Sequence, residues 1–237
     1  MYKRQLNILI ILGVTALITN VAIQKTTFKY EIPYMLLITA VLLVMGMTGN
    51  EITFIEGVIL WILFIAYLLY LYFLAKKGND SGDEQSVKLY PVWKCLLFIV
   101  LGGVCVVIGS QLVVNGATTI ARACGMSERF IGLTIVAFGT SLPELVTSVS
   151  AARKGNAGIA IGNIVGSNIF NILFVIGTVA LICPVPFESR FVIDTVVAIL
   201  CGVLLWGGTI RHKELRKPCG VVMLLCYAAY FVYLAAM

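Results

Sequence analysis

Eight apolar runs, at about 6–23, 32–48, 54–75, 95–119, 128–152, 158–182, 190–209 and 218–236, leave little of this chain for anything but membrane-crossing helices. In hydrocarbon every backbone N–H and C=O must be paired within the protein, and a single helix does this alone. Charged residues are 12% of the 237 positions, where a soluble domain has about 25%. The chain therefore lacks the polar surface to cover a core in water. The expected fold class is an all-α integral membrane protein of about eight transmembrane helices, with the lipid bilayer as its surroundings. The net charge of +6 is a topology signal, because no basic run interleaved with aromatics lies in an accessible segment, and a nucleic-acid partner is not expected. The seven cysteines show no C-x-x-C pair and no zinc spacing; most fall in apolar runs, where cysteine acts as a small hydrophobe.

Lysine and arginine set the orientation. Connections of one parity, which include residues 76–94 and 211–217, hold twelve of the 17 basic residues, and the other parity holds five. The linker 76–94 and the loop 211–217 are thus expected in the cytoplasm, with both termini outside and the chain a multi-pass protein of the cell inner (plasma) membrane. The linker, with its stretch "KKGNDSGDEQSVK", has the composition of a mobile loop.

The chain also repeats itself. "LNILIILGVTALI" (6–18) matches "FNILFVIGTVALI" (170–182) without gaps, with seven of thirteen positions identical. One register away, Gly57, Val58, Ala66, Tyr67, Tyr70 and Leu71 match Gly220, Val221, Ala229, Tyr230, Tyr233 and Leu234. Runs one to three therefore recur as runs six to eight. The offset of five helices is odd, so each copy crosses the membrane opposite to its mate, as in the inverted repeats of secondary transporters. The second copy has residues ahead of Phe170, Glu144 among them, that find no mate ahead of Leu6, where "MYKRQ" stands. A truncated reading frame or an assembly artefact is expected.

The chemistry concentrates in "VAFGTSLPELVTSVSAARKGNAGIAIGNIVGSNIFNILFVIG" (136–177). Glu144 lies ten residues before Lys154 and fifteen after Arg129. At ~1.5 Å per helical residue it sits near the middle of the hydrocarbon. A carboxylate there costs at least ~2.5 kcal/mol and calls for a partner or a cavity. Pro143 removes a backbone donor and frees the Gly139 carbonyl. The break offers carbonyls around Ala137 to Gly139, the hydroxyls of Thr140 and Ser141, and the Glu144 carboxylate. The next run places Asn163, Ser167 and Asn171 at i, i+4 and i+8 on one helical face. Oxygen ligands with one carboxylate suit a hard cation such as Na⁺ or Ca²⁺. A Pro-kinked helix whose Ser and Thr satisfy their own backbone accounts for Thr140, Ser141 and Pro143 without function, and glycine strips are ordinary packing devices. Glu144 has no such structural excuse.

"AFGTSLPEL" followed by "KGNAGIAIGNIVGSNIFNIL" closely resembles the second alpha-repeat of the calcium/cation antiporter superfamily, the sodium/calcium exchangers, of bacterial type. The resemblance implies a fold of two inverted halves of five helices around midplane ion sites. Residues 1–75 would be the remainder of the first repeat (helices equivalent to 3–5), 76–94 the linker, and 95–237 the second repeat (helices equivalent to 6–10). It implies that Glu144 is the central cation carboxylate, that Thr140, Ser141, Ser167, Asn171 and the Ala137 carbonyl complete its side, and that Asn7 is the surviving ligand of the first repeat. Run four, with Gly102, Gly103, Gly109 and Ser110, resembles the helix that slides during alternating access. The implied activity is export of Ca²⁺ in exchange for Na⁺, without cofactor, enzymatic activity or obligate protein partner. Some relatives carry Asp at the Asn171 position, which leaves selectivity open, and the first G-T-S-L-P-E copy is absent, so the chain alone is expected to be inactive. An H⁺-coupled antiporter and a non-transporting fragment or scaffold are the alternatives. An intramembrane hydrolase is disfavoured, because the single histidine, His212, lies in an interfacial loop far from Ser141 and Ser167.

Overall fold

A computed structural model describes residues 2–78, 91–210 and 213–236. Residues 79–90 of the expected linker, and Arg211 and His212 of the loop 211–217, lie outside the described residues. Each apolar run forms a helix: α1 (2–18), α2 (Thr27–Gly49), α3 (Phe54–Gly78), α4 (Val92–Ala123), α5 (128–139), α6 (Leu142–Arg153), α7 (157–182), α8 (Ser189–Ile210) and α9 (Lys217–Ala236). The run expected as one helix over 128–152 is two, α5 and α6, parted at Thr140 and Ser141. Prolines mark two starts: Pro91 caps α4, and Pro143 sits in the first turn of α6, where a missing N–H costs no bond within that helix; Pro33 follows the π turn Thr27–Glu31 inside α2. Gly125 and Gly155, at φ +77° and +81°, close α4 and α6. The bonds from Met126 N to Ala121 O and from Asn156 N to Ala151 O complete these left-handed caps.

The bundle is inside out by the standards of a soluble protein. Asn7, Thr15, Ser141, Ser148, Asn168 and Asp194 are buried, while Leu37, Ile55, Ile62, Phe73 and Leu200 face outward. The buried apolar centre is built by α1, α2 and α7, with Ile8, Leu12, Ile38, Leu42, Ile161, Ile164 and Leu173 at its heart. Helix α1 packs on α9, α3 on α7, and α2 on α8. Helix α4 packs chiefly on α5 and α6, and of its residues Ala121 alone is buried.

Two small ladders tie the loops together, β1 (Val21–Ala22) with β4 (Glu214–Leu215) and β2 (Glu51–Ile52) with β3 (Val185–Pro186). They pair Val21 with Leu215 and Ala22 with Glu214, and Ile52 with Val185 and Glu51 with Pro186. Moving Val21 and Ala22 along by the sequence offset gives Val185 and Pro186, and moving Glu51 and Ile52 gives Glu214 and Leu215, so each ladder is the image of the other. Helix crossings obey the same exchange. A Cβ on Gly220 of α9 would stand 2.8 Å from the Gly13 carbonyl oxygen of α1, and one on Gly57 of α3 would stand 3.1 Å from the Gly177 carbonyl oxygen of α7. Small residues at both crossings let the backbones meet, the usual means of packing helices in lipid.

Candidate functional site

The polar residues gather where α5 gives way to α6. Thr140 N still bonds to Val136 O and Ser141 N to Phe138 O, and then α6 begins at Leu142. Pro143 has no N–H to offer the Gly139 carbonyl four residues before it. Helix α4 crosses at this break: a Cβ on Gly139 would fall inside the Val114 side chain, so only glycine fits.

Ser141-Leu142-Pro143-Glu144 has the spacing of a capping box, in which the serine and glutamate side chains bond back to each other's backbone. The molecule builds such a box elsewhere. Thr53 N donates to Glu56 Oε2 at 2.7 Å and Glu56 N to Thr53 Oγ1 at 3.5 Å, at the start of α3. At Ser141 no side-chain cap forms. Its hydroxyl is buried without a hydrogen-bond partner. Glu144 instead accepts a bond from the neighbouring helix: Ser167 Oγ of α7 donates to Glu144 Oε1 at 3.4 Å. Asn171 Nδ2 then donates to Ser167 Oγ at 3.4 Å. The residues are therefore linked in the order Asn171, Ser167, Glu144.

The other expected residues fall as follows. Thr140 Oγ1 donates to the Ala137 carbonyl at 3.0 Å, so that carbonyl is already engaged, and the Thr140 oxygen keeps its lone pairs. Asn163 stands apart from Glu144. Its Nδ2 donates to Thr147 Oγ1 at 3.0 Å and Ser148 Oγ at 3.4 Å, which bolts α7 to α6 one turn beyond the carboxylate. Asn7 lies on α1 in a wide π turn, Asn7–Ile11, that packs against α6. It is fully buried, and neither its amide nitrogen nor its amide oxygen has a partner. Asn168 donates to Ile164 O at 3.0 Å and buries its amide oxygen unpaired.

Two features of the site lie beyond the sequence reading. Asn171, like Asn7, opens a π turn, Asn171–Ile176. A π turn inserts one extra residue into the helical spiral, so each asparagine stands where backbone register changes, and such turns recur at functional positions. Thr147 and Ser148 form the second: they look like a polar helix face, yet they take up Asn163. No group of three or more His, Cys, Asp or Glu side chains is placed to hold a metal among the described residues, so a cation here would meet neutral oxygens around one carboxylate.

Residues 5–73 and 94–236 match the family described as sodium/calcium exchanger protein. The inner membrane protein YrbG of Escherichia coli is 32% identical over 236 residues, a match covering 92% of this chain and 70% of YrbG. The sodium/calcium exchanger MaX1 of Methanosarcina acetivorans is 38% identical over 142 residues, which cover 60% of this chain and 41% of MaX1. The solved structure of the sodium-calcium exchanger NCX_Mj superposes with a TM-score of 0.79 at 32% identity, over 98% of this chain and 74% of that one. With the expected fold and the family matched over most of its length, this chain belongs to the sodium/calcium exchanger family, membrane-spanning cation antiporters rather than catalysts.

Proposed function

We propose that this protein exports Ca²⁺ in exchange for Na⁺ by alternating access. The ions would be held at the break between α5 and α6 by Glu144, Thr140, Ser141, Ser167 and Asn171, with Asn7 approaching on α1. The observation that carries the reading is the capping box left unmade. A serine and a glutamate spaced to satisfy each other at a helix start are spent otherwise: the Ser141 hydroxyl is orphaned and Glu144 bonds across to α7. Leaving a buried hydroxyl unpaired costs ~1–3 kcal/mol, which a cation binding between these oxygens would recover. The last carbonyls of α5 carry the negative end of its helix dipole toward the same point. The engaged Ala137 carbonyl would be a lesser ligand, turning to an ion only as Thr140 releases it.

The sequence repeat and the exchanged ladders support residues 1–75 and 95–237 as two inverted repeats, with 76–94 and 211–217 facing the cytoplasm. Glu144 is the one carboxylate in the proposed set and leaves a divalent ion only partly neutralised, and we expect the 237 residues by themselves to carry no exchange. The test uses a version extended ahead of Leu6 by a second G-T-S-L-P-E segment, reconstituted in vesicles. An outward Na⁺ gradient should drive ⁴⁵Ca²⁺ uptake, and Glu144→Gln should abolish it. Uptake indifferent to the Na⁺ gradient, or undiminished in the variant, would defeat the proposal; uptake that follows a pH gradient instead would select H⁺ coupling.

A further inference from the structure

A cavity separate from the proposed ion site lies between α2 and α3. It has a volume of about 310 Å³ and is lined by Tyr30, Glu31, Tyr34, Leu63, Ala66, Tyr67 and Tyr70. Four tyrosines and one carboxylate is an unusual lining for a wall that faces lipid. Glu31 is 9% exposed, and its side chain bonds to Thr27 in the preceding turn. No ion pair reaches it among the described residues. Lys29 directs its ammonium over the Tyr30 ring, 5.3 Å from the centroid, and makes no bridge to Glu31. The rings are ordered around the carboxylate: Tyr34 stacks on Tyr67 at 5.4 Å, Tyr67 on Tyr70 at 6.2 Å, and Tyr30 tilts against Tyr70 at 6.2 Å.

The repeat supplies a control within the same molecule. The offset that matches Tyr67 and Tyr70 to Tyr230 and Tyr233 matches Glu31 to Asp194. In that second copy the arrangement is closed. Tyr230 Oη donates to Asp194 Oδ1 at 2.7 Å, Gln5 Nε2 donates to the Asp194 carbonyl at 2.6 Å, and Asp194 is 3% exposed. In the first copy the tyrosines do not close on the carboxylate. Tyr34 gives its hydroxyl proton to the Leu63 carbonyl at 2.8 Å, and the Tyr70 hydroxyl is buried without a partner. One copy seals its acid with its own tyrosine, and the other holds its acid open inside a ring of aromatic faces.

We propose that this cavity binds a primary ammonium group, held by Glu31, by the Tyr70 oxygen and by the faces of Tyr34 and Tyr67. Aromatic faces attract cations, and a desolvated pair of this kind is worth ~2 kcal/mol or more. A primary ammonium also has three N–H donors, which the carboxylate and the orphaned Tyr70 oxygen can accept. A bare metal ion would find too few oxygens among these rings. Glu31 lies four residues into α2, ~6 Å from its end, at the depth where lipid headgroups meet hydrocarbon. The ammonium can therefore come from an ethanolamine phospholipid or from a free amine.

The experiment measures thermal unfolding of the full chain in uncharged detergent. It is titrated separately with dihexanoyl phosphatidylethanolamine, dihexanoyl phosphatidylglycerol and ethanolamine. Phosphatidylethanolamine at tenfold over half-saturation should raise the melting temperature by about 3–6 °C. A rise with the phospholipid alone assigns a lipid headgroup; a rise with ethanolamine as well assigns the amine whatever carries it. Glu31→Gln should remove the shift. Tyr70→Phe, which keeps the ring, should raise the half-saturating concentration several-fold, so the test survives if Glu31→Gln does not fold. No shift with either amine, an equal shift with phosphatidylglycerol, or undiminished shifts in both variants would overturn the proposal.

Discussion

Replacing Gly220 by alanine should force α1 and α9 apart. The added methyl would stand 2.8 Å from the Gly13 carbonyl oxygen and 3.0 Å from the Ala16 Cβ. Comfortable contact begins near ~3.5 Å, and neither obstacle is a flexible side chain that could swing away, so the helices themselves must yield by roughly half an ångström. Overpacking of this kind costs ~1–3 kcal/mol. For a chain of this size that is a fall of about 2–12 °C in melting temperature. The repeat makes the prediction double. Gly57→Ala would place a methyl 2.9 Å from the Ala180 Cβ and 3.1 Å from the Gly177 carbonyl oxygen, so it should cost a similar amount. Gly116→Ala on α4 is the control: nothing lies within 4 Å of that position, and helix propensity should leave stability unchanged or slightly raised. Thermal unfolding in detergent reads all three. The crossings also lie close to the proposed ion site, because Gly13 and Gly177 each lie six residues after an asparagine, Asn7 or Asn171, that opens a π turn. Wild-type melting temperatures for both Gly220→Ala and Gly57→Ala would refute the close-approach argument.

Two further perturbations separate the roles of the polar residues. In the extended version's exchange assay, Ser167→Ala should weaken Ca²⁺ affinity about 10- to 100-fold, the loss of one bond to a charged group worth ~1.5–3 kcal/mol. Asn163→Ala should instead leave affinity unchanged and lower the melting temperature, since among the described residues it bonds to Thr147 and Ser148 alone. Gly139→Ala should be strongly destabilising by collision with Val114, and Val114→Ala in the same chain should restore most of the loss, measured by unfolding of the single and double variants.

Much of the architecture was legible because bilayers allow so few structures. Apolar length located the helices, and the match of Leu6–Ile18 to Phe170–Ile182 announced a repeat; the paired ladders and crossings that share its offset were not foreseen, since two-residue strands have no signature of their own. At the site, the residue types that bear charge or break helices were visible: Glu144, Pro143, and the Ser167 and Asn171 row. Fine geometry was not. Pro143 implied a break without placing it; it falls at Thr140 and Ser141, since Thr140 N keeps its bond to Val136 O. Asn163 shares a face with Ser167, yet it is taken by α6, and that choice depends on a neighbouring helix. The π turns at Asn7 and Asn171 are register changes made by packing, with no residue preference to announce them. Thr140's bond to Ala137 O is one rotamer among several that a sequence permits.

The two ladders bear on how such a protein could move. Each joins a loop beside the first copy's helices to a loop beside the second's, so the two copies are fastened crosswise rather than side by side. A sliding of α1–α3 past α7–α9 would have to tear both fastenings and drag the glycine crossings over one another. Among the described residues helix α4 carries no such tether, and it buries almost nothing of itself. On the proposed alternating access, the sliding that the family resemblance implies for α4 would leave such a frame shut, with Val114 riding across Gly139 like a bolt past its notch.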